Sequence, residues 1–255
     1  MLPQSQLRQQ WPSASVVPEL QPESVHLWRF QLVASMGIQQ MLWPILSIEE
    51  QMRSQRFIRP IDQQRFVMTR GHLRWLLGQY LNMDAAAVQF TYGEKGKPMV
   101  AEVSDSGLEF NLSHSHDTAL IAVRLGAALG VDLEQISPDV DYTGITKRFL
   151  TYRERQAVFN QPVSDRCQVF FKIWTRKEAC IKALGGSIGE HLDQIDVSSH
   201  LEQSATSVQF TPAADTKQTF FIFDLQPAVG YAGAWATATR PSTLHQYSLD
   251  IFPDE

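Results

Sequence analysis

Cysteine is almost absent: Cys167 and Cys180 are the only two in 255 residues. Two thiols build no disulfide framework, and a reducing cytoplasm is the expected setting. Long apolar runs are missing too. Stretches such as Ala119–Val123 fall far short of the roughly 20 residues that a membrane helix needs. Positive charge is in deficit, with 22 Lys and Arg against 27 Asp and Glu, a net charge of −5. Nucleic-acid binders are usually basic, so no nucleic-acid partner is expected. The first residues lack a compact apolar core behind a basic start and make no secretory signal. Their Gln, Pro and Ser content reads as a mobile tail over residues 1–24. What is present is ordinary globular composition, 44% hydrophobic and 19% charged, enough for one large domain or two small ones.

Periodicity divides the rest. "VHLWRFQL" (25–32) alternates like a strand. Ser47 is placed to cap a helix with Glu49 and Glu50 in its first turn, and Pro60 is expected to end it. A second helix is predicted over 62–81, where Phe66, Leu73, Leu77 and Leu81 recur near helical spacing. A strand, a Gly-rich turn and a short strand follow at 88–100, then two strands from Leu108 and another at "ALGVDLEQI". Helices are predicted at 146–159 and 166–186. Further strands are predicted at "DQIDV", "SVQFT", "TFFIFDL" and "YAGAWATAT". The order repeats itself. "QRFIRPID" echoes "KRFLTYRE", and "VMTRGHLRWLLG" echoes "IWTRKEACIKAL". The chain therefore reads as an α+β protein of two similar units, residues 25–126 and 127–255.

Several residue groups carry possible chemistry. Asp132 and Glu134 lie two apart on a strand and so share a face. Side by side they repel, which a hard divalent cation such as Mg²⁺ relieves; the plain alternative is a solvent-facing edge. In "WTRKEACIK", Trp174, Glu178 and Lys182 share a helix face. Glu178 is positioned to complete a three-carboxylate cation site, with Lys182 one turn away for a phosphate; the alternative is an ordinary ion pair. In "FNLSHSHD", Ser113 and His114 are possible phosphate donors. His114 and His116 also form an H-x-H pair, which would suit zinc if further ligands existed. "GEKGKP" offers Lys95 and Lys97 on what is otherwise a plain turn. Arg53, Arg56, Arg65, Arg70 and Arg74 concentrate positive charge on the first helices. They suit a polyanionic ligand, or else pair with acids such as Glu49 and Asp62.

In this order, "GEKGKP", "FNLSHS", "GVDLEQI", "RFLTYRE" and "KIWTRKEACIKALGGSI" resemble the motifs of the Sfp-type 4′-phosphopantetheinyl transferases. The match spans residues 93–188, with the arginine-bearing helix at 53–74 extending it upstream. The resemblance implies two α/β subdomains related by a pseudo-twofold axis, with coenzyme A in the cleft between them. It implies a monomeric cytoplasmic enzyme of the holo-acyl-carrier-protein synthase type, with no membrane partner. The enzyme would move 4′-phosphopantetheine from coenzyme A to a serine of an apo acyl or peptidyl carrier protein and release adenosine 3′,5′-bisphosphate.

Asp132, Glu134 and Glu178 fall on that family's Mg²⁺ ligands, and Glu178 also on its proposed general base. Lys182 falls on the lysine that neutralises or protonates the departing phosphate, and Glu154 on an acid near the metal and acceptor. His114, Ser113 and Lys97 fall on coenzyme contacts. Where some relatives place a lysine for the 3′-phosphate, this chain has Glu50, so Arg53, with Arg56 or Arg74, is expected to take over. Trp174 is assigned to packing, and Lys147, Arg148, Arg153 and Arg155 to an acidic carrier. The competing readings are a coenzyme A-binding module without turnover, which the complete acid and lysine set opposes, and a zinc hydrolase on His114 and His116, which lacks further ligands.

Overall fold

The computed structural model describes residues 11–33, 36–101, 107–186, 192–210 and 218–251. In chain order the first half runs β1 (Ser13–Ala14), β2 (Ser24–Gln31), α1 (Met36–Leu42), α2 (Ile48–Ser54), α3 (Pro60–Leu81), β3 (Phe90–Tyr92), β4 (Pro98–Val100), β5 (Leu108–Ser115) and β6 (Thr118–Leu125). The second runs β7 (Leu129–Gln135), α4 (Tyr142–Phe149), α5 (Tyr152–Phe159), α6 (Val163–Ala183), β8 (Ala205–Phe210), β9 (Gln218–Leu225), β10 (Tyr231–Thr237) and β11 (Thr243–Leu249).

Local chemistry sets the helix ends. The Ser47 hydroxyl accepts the Glu50 N–H while the Glu50 carboxylate accepts the Ser47 N–H, a reciprocal cap that starts α2. Pro60 does not end this helix. It opens α3, where its missing N–H costs nothing. Asn82, with φ 51°, closes α3 in the left-handed region. The single helix predicted over 146–159 is two. Leu150 is extended, and Thr151 and Glu154 form a second reciprocal cap that starts α5.

Two sheets lie face to face between the long helices α3 and α6. One has the order β1-β11-β2-β6-β5, the other β7-β10-β9-β8. Strand alternation distributes the core. On β6, Ala119, Ile121 and Val123 pack toward α3, while Leu120 and Ala122 face the second sheet. Covered on both faces, β6 is buried almost throughout. Leu129, Val131 and Leu133 of β7 join Leu120, Ala122, Phe223 and Trp235 between the sheets. The other face of the second sheet packs on α6 through Ile222, Ala234 and Ala236, with Phe170, Ile173 and Ile181 of the helix.

Three expectations change. Residues 11–24 are not a free tail: Ser13 and Ala14 pair with Ser248 and Leu249, and Leu20 is in the core. Residues 243–249, grouped by sequence with the second half, form β11 and run parallel to β2 in the first sheet. The predicted strand "DQIDV" is not one; residues 192–194 form a turn and 195–197 are irregular.

Backbone contact fixes the spacing of β7 and α6. A Cβ on Gly130 would stand 2.1 Å from the Ala179 carbonyl oxygen and 2.5 Å from the Ala183 nitrogen. Only glycine permits this approach, because both obstacles are backbone. Gly130→Ala is therefore expected to destabilise the fold by at least about 2 kcal/mol, read as a lower urea midpoint. An unchanged midpoint would show that the strand and helix are not in this contact.

His72 of α3 is buried and stacked on Phe30 at 4.4 Å, and its Nδ1–H donates to the Met68 carbonyl at 2.7 Å. Burial lowers its pKa to about 4, against which the Met68 bond pulls weakly upward. An unfolded histidine titrates near 6.5. The stability held by neutral His72 is thus full above about pH 6.5 and is lost as pH falls toward 4. His72→Phe should gain stability relative to the parent as pH drops from 7 to 5, measured by paired urea unfolding. A pH-independent difference would contradict this.

Candidate active site

The alternation that sends Leu129, Val131 and Leu133 between the sheets turns Gly130, Asp132 and Glu134 toward α6. At the Gly130 contact, Ala179 and Ala183 touch the strand. Their neighbours Glu178 and Lys182, four apart, share one side of the helix and meet the two acids. The Lys182 ammonium donates to Asp132 Oδ1 at 2.6 Å and to Ser113 Oγ at 3.0 Å. Ser113, on β5, donates to the same Asp132 oxygen at 2.9 Å. Ser115 donates to Glu134 Oε2 at 2.9 Å. The group forms where β5, the edge of one sheet, passes β7, the edge of the other.

Three carboxylates share this seam with one ammonium. Asp132 is 3% exposed and Glu178 is 3% exposed. Asp132 Oδ2 and Glu178 Oε1 are buried without a hydrogen-bond partner. Burial first, then the Asp132 and Glu134 charges, push the Glu178 carboxyl up to about 7, against the pull of Lys182. Burial and Asp132 likewise raise Glu134, with Ser115 and Lys182 opposing. The arrangement is short of positive charge. Among the described residues, no three His, Cys, Asp or Glu side chains are drawn together as a finished ion cage. The nearest cation to Asp132 is Lys182, which holds one of its oxygens.

His114 is solvent-exposed and on the other face of β5 from Ser113 and Ser115. The surrounding protein, and then the cations Lys182 and Arg65, lower its pKa. His116 takes φ 51° in the tight turn between β5 and β6. Lys97 is half-buried and donates to the Leu129 carbonyl at 3.1 Å, next to Gly130. Burial lowers its pKa, while Glu109 acts upward.

The remaining predicted residues stand elsewhere. Glu154 is fully buried. It accepts from Lys177 at 2.6 Å, Val197 N–H at 2.9 Å and Thr151 N–H at 2.8 Å. Both its oxygens are engaged in tying α5, α6 and the segment around Val197 together. Arg74 is also internal, donating to Glu50 at 2.5 Å and to the Val88 carbonyl at 2.6 Å. Glu50 takes Arg70 as well, so this acid pairs two of the arginines grouped as possible ligand contacts. Arg53 is exposed, stacked 5.3 Å over Phe66, and opens onto a cavity of about 560 Å³ beside Phe90 and Tyr92. Trp174 packs against Phe149 and Phe170, as expected.

The sequence reading missed Asn111, Ser115 and Gly130. Their signal was present: polar residues at 111, 113 and 115 on a strand mark one face, and a glycine before a buried acid marks a close approach.

Comparison with known proteins places these features in a family. The family model described as the 4′-phosphopantetheinyl transferase superfamily matches residues 128–239. The model for the 4′-phosphopantetheinyl transferase N-terminal region matches residues 37–125. The 4′-phosphopantetheinyl transferase HetI of Nostoc sp. is 39% identical over 177 residues, 69% of this chain and 74% of that protein. A putative 4′-phosphopantetheinyl transferase of Synechocystis sp. is 37% identical over 151 residues, covering 59% and 61% respectively. The 4′-phosphopantetheinyl transferase psf-1 of Bacillus pumilus is 29% identical over 187 residues, covering 73% and 77%. Two family models lying end to end along both halves, with a relative of this identity and coverage, make the chain a member of the 4′-phosphopantetheinyl transferase superfamily.

Proposed function

We propose that Asp132, Glu134, Glu178 and Lys182 carry the transfer of 4′-phosphopantetheine from coenzyme A to a serine of an apo acyl or peptidyl carrier protein. Transfer of that arm is the activity of the family to which the chain belongs. The observation that carries the assignment is the seam itself. Lys182 binds Asp132, the charges of Glu134 and Glu178 act on the same group, and two buried carboxylate oxygens lack a partner.

The residues fit Mg²⁺. All three acids offer hard oxygens, and the unpartnered atoms Asp132 Oδ2 and Glu178 Oε1 are the kind of group that a bound cation satisfies. Asp132, Glu134 and Glu178 would hold the ion, which when bound supplies positive charge against the diphosphate of coenzyme A. The chain's own groups do the rest. The carrier serine oxygen attacks the β-phosphorus, and the bond from that phosphorus to the oxygen of adenosine 3′,5′-bisphosphate breaks. The serine proton goes to Glu178, directly or through water. Glu178 Oε1, buried without a hydrogen-bond partner, is the acceptor at hand for that proton. Lys182 turns its ammonium from Asp132 to the departing phosphate and neutralises or protonates it. Ser113, inside the seam, and His114, exposed on the other face of β5, add donors for phosphate oxygens, and Lys97 stands at the start of β7 on the Leu129 carbonyl.

The 3′-phosphate falls to Arg53, whose guanidinium faces solvent and the adjoining cavity. Arg74 supports that wall from behind through Glu50 and Val88, and Glu154 supports α6 through Lys177. Lys147, Arg148 and Arg153 are exposed on α4 and α5, with Arg155 half-buried beside them. On a chain of net charge −5 this local positive surface suits an acidic carrier. No helix among the described residues is long and apolar enough to cross a membrane.

Incubating the protein with an apo carrier, coenzyme A and Mg²⁺, then weighing the carrier, tests the reaction. A mass gain of one phosphopantetheine is expected, abolished by EDTA and restored by Mg²⁺ but not by Zn²⁺. No gain on any carrier of a broad panel would remove the reading. Glu178→Gln should slow transfer by at least about a hundredfold while coenzyme A binding, followed by calorimetry, stays largely in place. Wild-type turnover in that variant would show that the base is another group.

A further inference from the structure

The proposed chemistry leaves two polar side chains at the seam, Asn111 and Ser115, without a task. β5 and β7 are edge strands of different sheets, so neither completes the other's backbone ladder. They pass in step, twenty residues apart in sequence, and side chains of β5 cross the gap. Asn111 Oδ1 accepts the Val131 N–H at 2.8 Å, and Ser115 Oγ accepts the Gln135 N–H at 3.1 Å. These bonds occupy edge N–H groups that a second strand would otherwise take. Ser113, midway between them, departs from this pattern and spends its hydroxyl on Asp132, while accepting from Lys182.

Of the three, Ser115 both grips the β7 backbone and donates to an acid of the site. A hydroxyl has one proton and two lone pairs. With the Gln135 N–H seated on one lone pair, the direction of the proton is set by the backbone of β7. That proton points to Glu134 Oε2 at 2.9 Å. Glu134 is half-buried near the end of its strand, with three side-chain torsions to fix. Its near neighbours Asp132 and Glu178 repel it. A fixed donor on one oxygen keeps the carboxylate turned into the seam despite that repulsion.

We propose that Ser115 is a positioning residue for the transfer reaction: it ties the Glu134 carboxylate to the backbone of β7 in the orientation in which it meets the cation. This rests on the reading of Glu134 as a Mg²⁺ ligand. Partners that orient a ligating carboxylate change metal affinity or activity by about 10- to 100-fold when removed. Ser115 acts through Glu134 and touches neither substrate nor reacting atoms.

Four proteins decide the matter: the parent, Ser115→Ala, Ser115→Thr and Glu134→Gln. Transfer is measured against Mg²⁺ concentration at saturating coenzyme A. In parallel, the melting temperature of each protein with coenzyme A is recorded with and without Mg²⁺. Ser115→Ala should raise the half-saturating Mg²⁺ concentration about tenfold and shrink the Mg²⁺-dependent rise in melting temperature. Loss of the bond to the Gln135 N–H also lowers the melting temperature without Mg²⁺, so the increment on adding Mg²⁺, and not the absolute value, is the readout. Threonine keeps the hydroxyl and suits a strand, so Ser115→Thr should stay within about threefold of the parent. If Ser115→Ala keeps the parent's Mg²⁺ dependence and melting increment while Glu134→Gln loses both, Ser115 only stitches the sheets and the inference fails. Equal losses of rate in the alanine and threonine variants, at unchanged Mg²⁺ dependence, overturn it in the same way. If Glu134→Gln itself keeps the parent's Mg²⁺ requirement, the ligand assignment falls, and the inference with it.

Discussion

Negative charge confined between a strand and a helix governs this structure. Asp132 and Glu178 are buried and Glu134 is half-buried beside them, and the Lys182 ammonium is bound to Asp132. Burial and mutual repulsion push Glu178 up to about 7 and raise Glu134. Charge held this way is relieved by a proton or by a cation.

Holding the acids together costs stability, and the surrounding structure offsets it. α6 is fastened by buried ion pairs on the residues just before Glu178. Arg176 grips Asp224 through two nitrogens, at 2.6 and 2.8 Å, and the carbonyls of Val197 and Gln203. Lys177 binds Glu154 and the Ile195 carbonyl. Buried pairs of this kind add little net stability, but breaking one strands a charge, so they set position strongly. On the other side, β7 is set by its ladder to β10 and by the side chains that reach it from β5. Gly130 brings the two fastened elements into backbone contact. The acids meet because their scaffolds have no freedom to separate.

How much of this was legible depended on the range of the cause. Asp132 with Glu134, and Glu178 with Lys182, were readable because strand and helix periods are local and put each pair on one face. The convergence of the two pairs was not local; the family resemblance supplied it. Pro60 was read as a stop because proline breaks a helix interior, yet it is equally suited to a first turn, and only the backbone shows Arg59 extended before it. The break at Leu150 was hidden because Thr151 and Glu154 form a cap inside a helical pattern. β11 escaped because its partner β2 lies more than two hundred residues earlier, and no window of sequence contains such a pairing. Arg74 was read as ligand-facing from its charge and its place on the helix, Glu154 from the family resemblance. Neither signal reveals a buried partner, and each has one, in Glu50 and Lys177.

The central claim is most directly tested by a crystal structure of the protein with coenzyme A and Mg²⁺. The account predicts one ion touched by Asp132, Glu134 and Glu178, the coenzyme diphosphate against that ion, and the Lys182 ammonium swung from Asp132 toward the diphosphate. A diphosphate bound away from these residues, with Lys182 still on Asp132 and no ion among the three acids, would contradict it.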